Sequence, residues 1–164
     1  MLTSLILLHA ITASAATGDA AKDPLQPLAF LVGHCWAGEF PKDGGKDTHC
    51  FEAMYGGKFV RDKHVVRSKK PDYLGETVYG FDPKLQRIVF WYWSNAGVMD
   101  SGSAEAAPDG VSFAERHLTE PKDLTLRTRW KHTGADRYES LNERKRDDGS
   151  WQTVWKIEYV RTDK

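Results

Sequence analysis

The chain has 164 residues, a length for one domain with little room for a second. Its 23 Lys plus Arg balance 23 Asp plus Glu, and no block of like charge stands out, which argues against a nucleic-acid-binding face. With 40% hydrophobic and 12% aromatic residues the chain can bury a core, so disorder is excluded.

The N-terminal stretch is apolar for about a dozen residues and ends in Ala13-Ser14-Ala15, with a second small-x-small frame at Ser14-Ala15-Ala16. That is the layout of a secretory signal peptide over residues 1–15, cleaved near Ala15 or Ala16, and it is too short to span a bilayer. No Lys or Arg precedes the run, so the amino terminus alone supplies the positive end, and no Cys follows to take a lipid anchor. The expectation is a periplasmic or secreted protein with one domain over residues 28–162, no membrane span and no nucleic-acid partner.

Export makes a disulfide the expected state of Cys35 and Cys50. Pro41-Lys42-Asp43-Gly44-Gly45 lies between them as a turn, and folding about it sets the two cysteines opposite each other in a hairpin. Each cysteine follows a histidine, and the pairs His34-Cys35 and His49-Cys50 together offer a zinc-type donor set. Strand alternation opposes that use, because it puts the cysteines on one face and the histidines on the other. No metal site is assigned on this basis.

Beyond Asp23 the chain is punctuated by turn signals at Gly56-Gly57, Pro71-Asp72, Asp82-Pro83, Asn95-Ala96-Gly97 and Pro108-Asp109-Gly110. They continue at Pro121-Lys122-Asp123, Gly134-Ala135-Asp136 and Asp147-Asp148-Gly149. The segments between are rich in Val, Ile, Thr, Tyr, Phe and Trp and carry no sustained helical period. Hairpin connections join residues 102–107 to 111–117 and 138–146 to 151–161. The expected fold is therefore all-β: a ten-stranded antiparallel up-and-down barrel, with a two-sheet sandwich as runner-up. A barrel of this size leaves interior room, so its lining becomes the question.

Alternation assigns two strands. Trp151, Thr153, Trp155, Ile157 and Tyr159 form one inward face, and Leu124, Leu126, Thr128, Trp130 and His132 form another. In residues 87–93 both faces are apolar. Val89, Trp91 and Trp93 share one side, and Ile88, Phe90 and Tyr92 share the other, which is the face available for a homodimer. Residues 59–67 carry the densest chemistry: Arg61, Lys63 and Arg67 lie on one side, Asp62 and His64 on the other. Glu76 and Tyr79 follow on opposite faces of the next segment.

No G-x-S-x-G, P-loop, H-E-x-x-H or G-x-G-x-x-G motif occurs. His64 with Glu76 or Asp62 is the acid–base pair that residue type supports, and only if the side chains meet.

The segment Leu31-Val-Gly33-His-Cys-Trp36, with Tyr159-Val-Arg161 near the C-terminus, resembles the lipocalin-like (calycin) superfamily. In those barrels a short helical turn precedes a Gly-x-Trp, and a late Arg packs across the Trp. Here the spacing is Gly-x-x-Trp. A bacterial secreted branch of unknown function is more similar, through Trp36 to Phe40, Tyr55-Gly-Gly-Lys-Phe-Val-Arg61 and Gly75-Glu-Thr-Val-Tyr-Gly-Phe-Asp82, over roughly residues 28–117. The resemblance implies a calycin-like barrel with a short N-terminal helical turn and structural roles for Gly33, Trp36 and Arg161. Nitrobindins, which hold haem on a histidine near the C-terminus, are more distantly similar. No histidine follows His132, so only His117 or His132 could stand in, and no cofactor is expected.

The functional expectation is a binding barrel for a small, apolar or amphipathic molecule carrying a polar group. Its expected contacts are Arg61, His64, Glu76, Tyr79, Trp91, Trp93, Trp130 and Trp155. Alternatives are a dimerising barrel without a ligand, an enzyme using His64 and Glu76, and a haem barrel.

Overall fold

A computed structural model describes residues 23–42, 45–118 and 124–162, without the side chains of His117 and Leu118. The signal-peptide reading of residues 1–15, the Pro121 turn and the His117 side chain lie outside them. The described chain is one antiparallel sheet closed on itself. A 3-10 turn at Gln26–Leu28 comes first, followed by β1 (Cys35–Glu39), β2 (Lys46–Met54), β3 (Phe59–Arg67), β4 (Tyr73–Asp82) and β5 (Arg87–Ser94). Then come β6 (Met99–Ala107), β7 (Gly110–Phe113), β8 (Arg116–Leu118), β9 (Leu124–Gly134), β10 (Arg137–Lys145) and β11 (Trp151–Thr162).

Each strand pairs with its sequence neighbour because the turns between them are short, and β1 against β11 closes the ring. β7 and β8 pair with successive stretches of β9, so together they form one stave. Eleven strands thus make a ten-staved barrel, with no edge left where the ring closes. Turn chemistry positions the ends: Gly56, Gly57, Gly97 and Gly149 all adopt positive φ, where a β-carbon would be strained.

Cys35 and Cys50 stand opposite each other in the β1–β2 register with Cα atoms 4.0 Å apart, and they form a disulfide. The bridge closes a loop with a sequence separation of 15. Replacing both cysteines by serine should cost about 3 kcal/mol in urea denaturation, since the unbridged chain regains loop entropy on unfolding. A change under about 1 kcal/mol would show that the hairpin is already held by its ladder.

One end of the barrel is plugged. Leu25, Leu28 and Leu31 are buried beneath the 3-10 turn, and the Trp36 indole N–H donates to the Leu31 carbonyl at 3.2 Å. Phe30 packs edge-on to Trp36 and Tyr138 and stacks on His132. Trp36 faces Arg161 directly in the β1–β11 register, and Arg161 bonds to His34 and is ion-paired with Asp136. Gly33 takes a positive φ where the chain leaves the plug for β1. The core above this plug is aromatic, with Phe51, Tyr79, Phe90, Trp130, Tyr138 and Tyr159 all buried.

One single-residue irregularity overturns expected faces. In β11, Trp155 opposes Asn142 and Thr153 opposes Glu143, so Val154 has no partner across the ladder. One extra residue reverses every side chain beyond it. Trp155, Ile157 and Tyr159 therefore point inward as expected, whereas Trp151 and Thr153 point outward. Trp151 lies under the Arg127 guanidinium, 4.0 Å from its ring centroid. A similar shift skips Thr133 in β9, beyond the expected inward residues: His132 keeps the face of Trp130, opposite Tyr138, and is exposed at the plugged end, where it stacks on Phe30.

Candidate functional site

The wall assignment in β3 to β5 decides the site. Val60, Asp62, His64 and Val66 face the interior, so Arg61, Lys63, Val65 and Arg67 face outward. In β4, Tyr73, Gly75, Thr77 and Tyr79 are inward. In β5, Ile88, Phe90 and Tyr92 are inward. The expected dimer face of Ile88, Phe90 and Tyr92 is thus core.

This corrects several expected contacts. Arg61 is on the outer surface, paired with Glu52. Glu76 is also outside, opposite Lys63 and Trp93 in its two ladders. Trp91 and Trp93 are outside and 50% and 39% exposed. His64 and Glu76 lie on opposite faces of the wall, so they cannot serve one substrate as acid and base. His64, Tyr79, Trp130 and Trp155 do come together inside.

They line a cavity of about 580 Å³ in the half of the barrel away from the plug. Its apolar wall is Phe40, Phe90, Phe113, Trp130 and Trp155, with Tyr79 among them. Its polar groups are His64, Tyr73, Thr77, Tyr92, Arg116 and Thr128. Arg116 is ion-paired with Asp100 at the start of β6. Burial lowers its pKa from the ordinary value. Burial also raises the Tyr92 hydroxyl, with Tyr73 adding to the effect, and the two hydroxyls share a hydrogen bond.

Beside the cavity, β2 and β3 bring together four ionisable side chains. Asp47 and Asp62 are each 3% exposed. His49 lies between them: its Nδ1 is 2.8 Å from Asp62 Oδ2 and its Nε2 is 3.0 Å from Asp47 Oδ2. The Tyr159 hydroxyl donates to Asp47 Oδ2 at 2.8 Å. His64 Nδ1 lies 3.3 Å from Asp47 Oδ1, within ion-pair range but off the hydrogen-bonding direction, and its Nε2 is 3.4 Å from the Tyr92 hydroxyl. Burial alone would depress the His49 pKa, but the Asp62 and Asp47 carboxylates overcome it and push it up to about 10. Burial likewise opposes ionisation of Asp47, yet the hydrogen bond from His49 and the nearby imidazole of His64 hold its carboxyl well below the usual range. At neutral pH His49 is thus an imidazolium clamped between two carboxylates.

Two glycines make room for this cluster. A β-carbon at Gly75 would stand 2.2 Å from His64 Nε2 and 2.8 Å from the Tyr92 ring. One at Gly38 would meet the Ile157 side chain at 2.5 Å and the Tyr159 ring at 3.1 Å, blocking the ring that reaches Asp47.

Asp47, His49 and Asp62 were not among the expected contacts. A signal for them is present: Asp47-Thr48-His49 and Asp62-Lys63-His64 are the same Asp-x-His triplet on neighbouring strands. Period-two alternation puts both members of each triplet on one face. The register then sets His49 against His64, with Asp62 on the diagonal. Comparison with family models and with curated proteins finds no match to this chain.

Proposed function

We propose that the protein is an exported binding barrel for a small, largely apolar molecule with a polar or anionic group. The observation that carries this reading is the cavity of about 580 Å³, within the size range of small-molecule sites. Trp130, Trp155, Phe90 and Phe113 offer flat apolar contact, and Arg116, His64 and the Tyr92 hydroxyl offer donors to an acceptor group. The cluster beside it supports the same reading, because ion-paired side chains hold the wall rigid around the space. Export is supported by the small-x-small motif at Ala13 to Ala15 and by the disulfide. Among the described residues no helix is long and apolar enough to cross a membrane.

Native mass spectrometry of protein from its own host should reveal a co-purifying mass that organic solvent removes. Anilinonaphthalene sulfonate, an apolar anion, should bind and quench tryptophan fluorescence. Thr128→Trp, which fills the cavity, should weaken that binding at least tenfold. Arg116→Met should weaken it about tenfold, the scale of one charge-assisted hydrogen bond. Binding that is absent, or indifferent to Thr128→Trp, would overturn the assignment.

A further inference from the structure

We propose that Asp47, His49 and His64 form a binding site for a divalent transition-metal ion on the inner wall of the barrel. One ligand atom from each of the three lies within 4.8 Å of the others. Ligands around tetrahedral zinc stand about 3.3 Å apart, so small side-chain rotations close the set around an ion. Two imidazoles and a carboxylate suit Zn²⁺ or another first-row divalent ion, whereas Ca²⁺ and Mg²⁺ require oxygen donors.

Three independent features separate this cluster from an ordinary buried ion pair. First, polar atoms are left over: Asp47 Oδ1, Asp62 Oδ1 and His64 Nδ1 are buried without a hydrogen-bond partner, the first and last having only each other at 3.3 Å. Such orphans are costly unless something occupies them. Second, each ligand is held from behind by a group on another strand. Asp62 holds His49 Nδ1, Tyr92 lies beside His64 Nε2, and the Tyr159 hydroxyl donates to Asp47 Oδ2. That is the second shell that orients metal-bound imidazoles and carboxylates, and it directs His49 Nε2 and His64 Nδ1 toward Asp47. Third, the two buried carboxylates are ion-paired only with histidines among the described residues. Among the described residues no Lys or Arg is ion-paired with Asp47 or Asp62, so a divalent cation with neutral imidazoles balances their charge.

Binding replaces the proton that His49 Nε2 directs at Asp47, and the proton leaves to solvent. The site borders the cavity through His64, so a fourth coordination position taken by water or by an acceptor group fits a three-ligand set. The proposal needs only the cluster. It stands or falls separately from the small-molecule reading, because the ion can bind in a barrel that holds nothing else.

The test is calorimetric titration of metal-free, disulfide-bonded protein with ZnCl₂, without any organic ligand. One equivalent should bind, and X-ray absorption of the zinc-loaded protein should report two imidazoles around the ion. His64→Ala and Asp47→Asn should each weaken binding at least tenfold, and Tyr92→Phe should weaken it less. His132→Ala, at the plugged end, should leave it unchanged. No stoichiometric binding, or binding unaffected by His64→Ala and lost in His132→Ala, would overturn the site. If a cluster variant fails to fold, the imidazole count on the wild-type protein decides alone, and any number other than two rejects the proposal.

Discussion

His49→Ala is expected to destabilise the metal-free protein by about 3–5 kcal/mol, the range for removing one partner from a buried ion pair. Its imidazole is bonded to both Asp47 and Asp62, and both aspartates are buried. Without it Asp62 loses the partner of Oδ2, while Asp47 keeps Tyr159 and the nearby His64. Two desolvated negative charges then face each other across adjacent strands. Asp62→Asn should cost less, because the amide oxygen still accepts from His49 while one of the two charges is gone. Urea denaturation in EDTA at pH 6 measures both. A loss below about 1 kcal/mol for His49→Ala would mean that the cluster is not coupled as its geometry implies.

Stability should also depend on pH in a defined window. The folded pKa of His49, about 10, is above its ordinary 6.5. The folded state therefore retains a proton that the unfolded chain has released. That contribution is complete below about pH 6.5 and is lost progressively as pH rises to about 10. Asp47 runs in the opposite sense. Its depressed pKa adds stability above its ordinary 3.8, and this is lost as pH falls further. The metal-free barrel should thus be most stable between about pH 4 and pH 6.5, with a decline on the order of a few kcal/mol toward pH 10. The alkaline decline should disappear in His49→Ala. If that variant keeps the same slope between pH 7 and pH 10, the titrating group lies elsewhere.

Which parts of this site were legible in the residues follows from the physics of strands. Turn chemistry every several residues announced short antiparallel strands, and closure answered the problem of unpaired edges. The turn at Pro41 to Gly45 set Cys35 against Cys50 because a hairpin register counts outward from its turn. Face assignment was legible only where one side was polar. Residues 124–132 and the second half of β11 meet that condition, and Trp130 and Trp155 are inside as expected. In β3 both sides carry ionisable groups, and in β5 both sides are apolar, so alternation named two faces without ranking them. Arg61, Glu76, Trp91 and Trp93 are outside for that reason.

Local sequence determined the architecture of this protein: strand after strand, a disulfide in register, and an aromatic supply large enough for a core. These properties depend on a residue and its near neighbours, where turn propensity and alternation act. Only the closed barrel decided which way each strand faces, because inside and outside exist only once β1 has met β11. It also decided where a single-residue bulge at Val154 reverses a face. The pairing of Asp47 and His49 with Asp62 and His64 needed both levels. Each triplet is written locally, but their meeting depends on the β2–β3 register and on the room left by Gly38 and Gly75. The neutral net charge of the chain concealed this arrangement, since it sums surface ions with the few that folding takes inside.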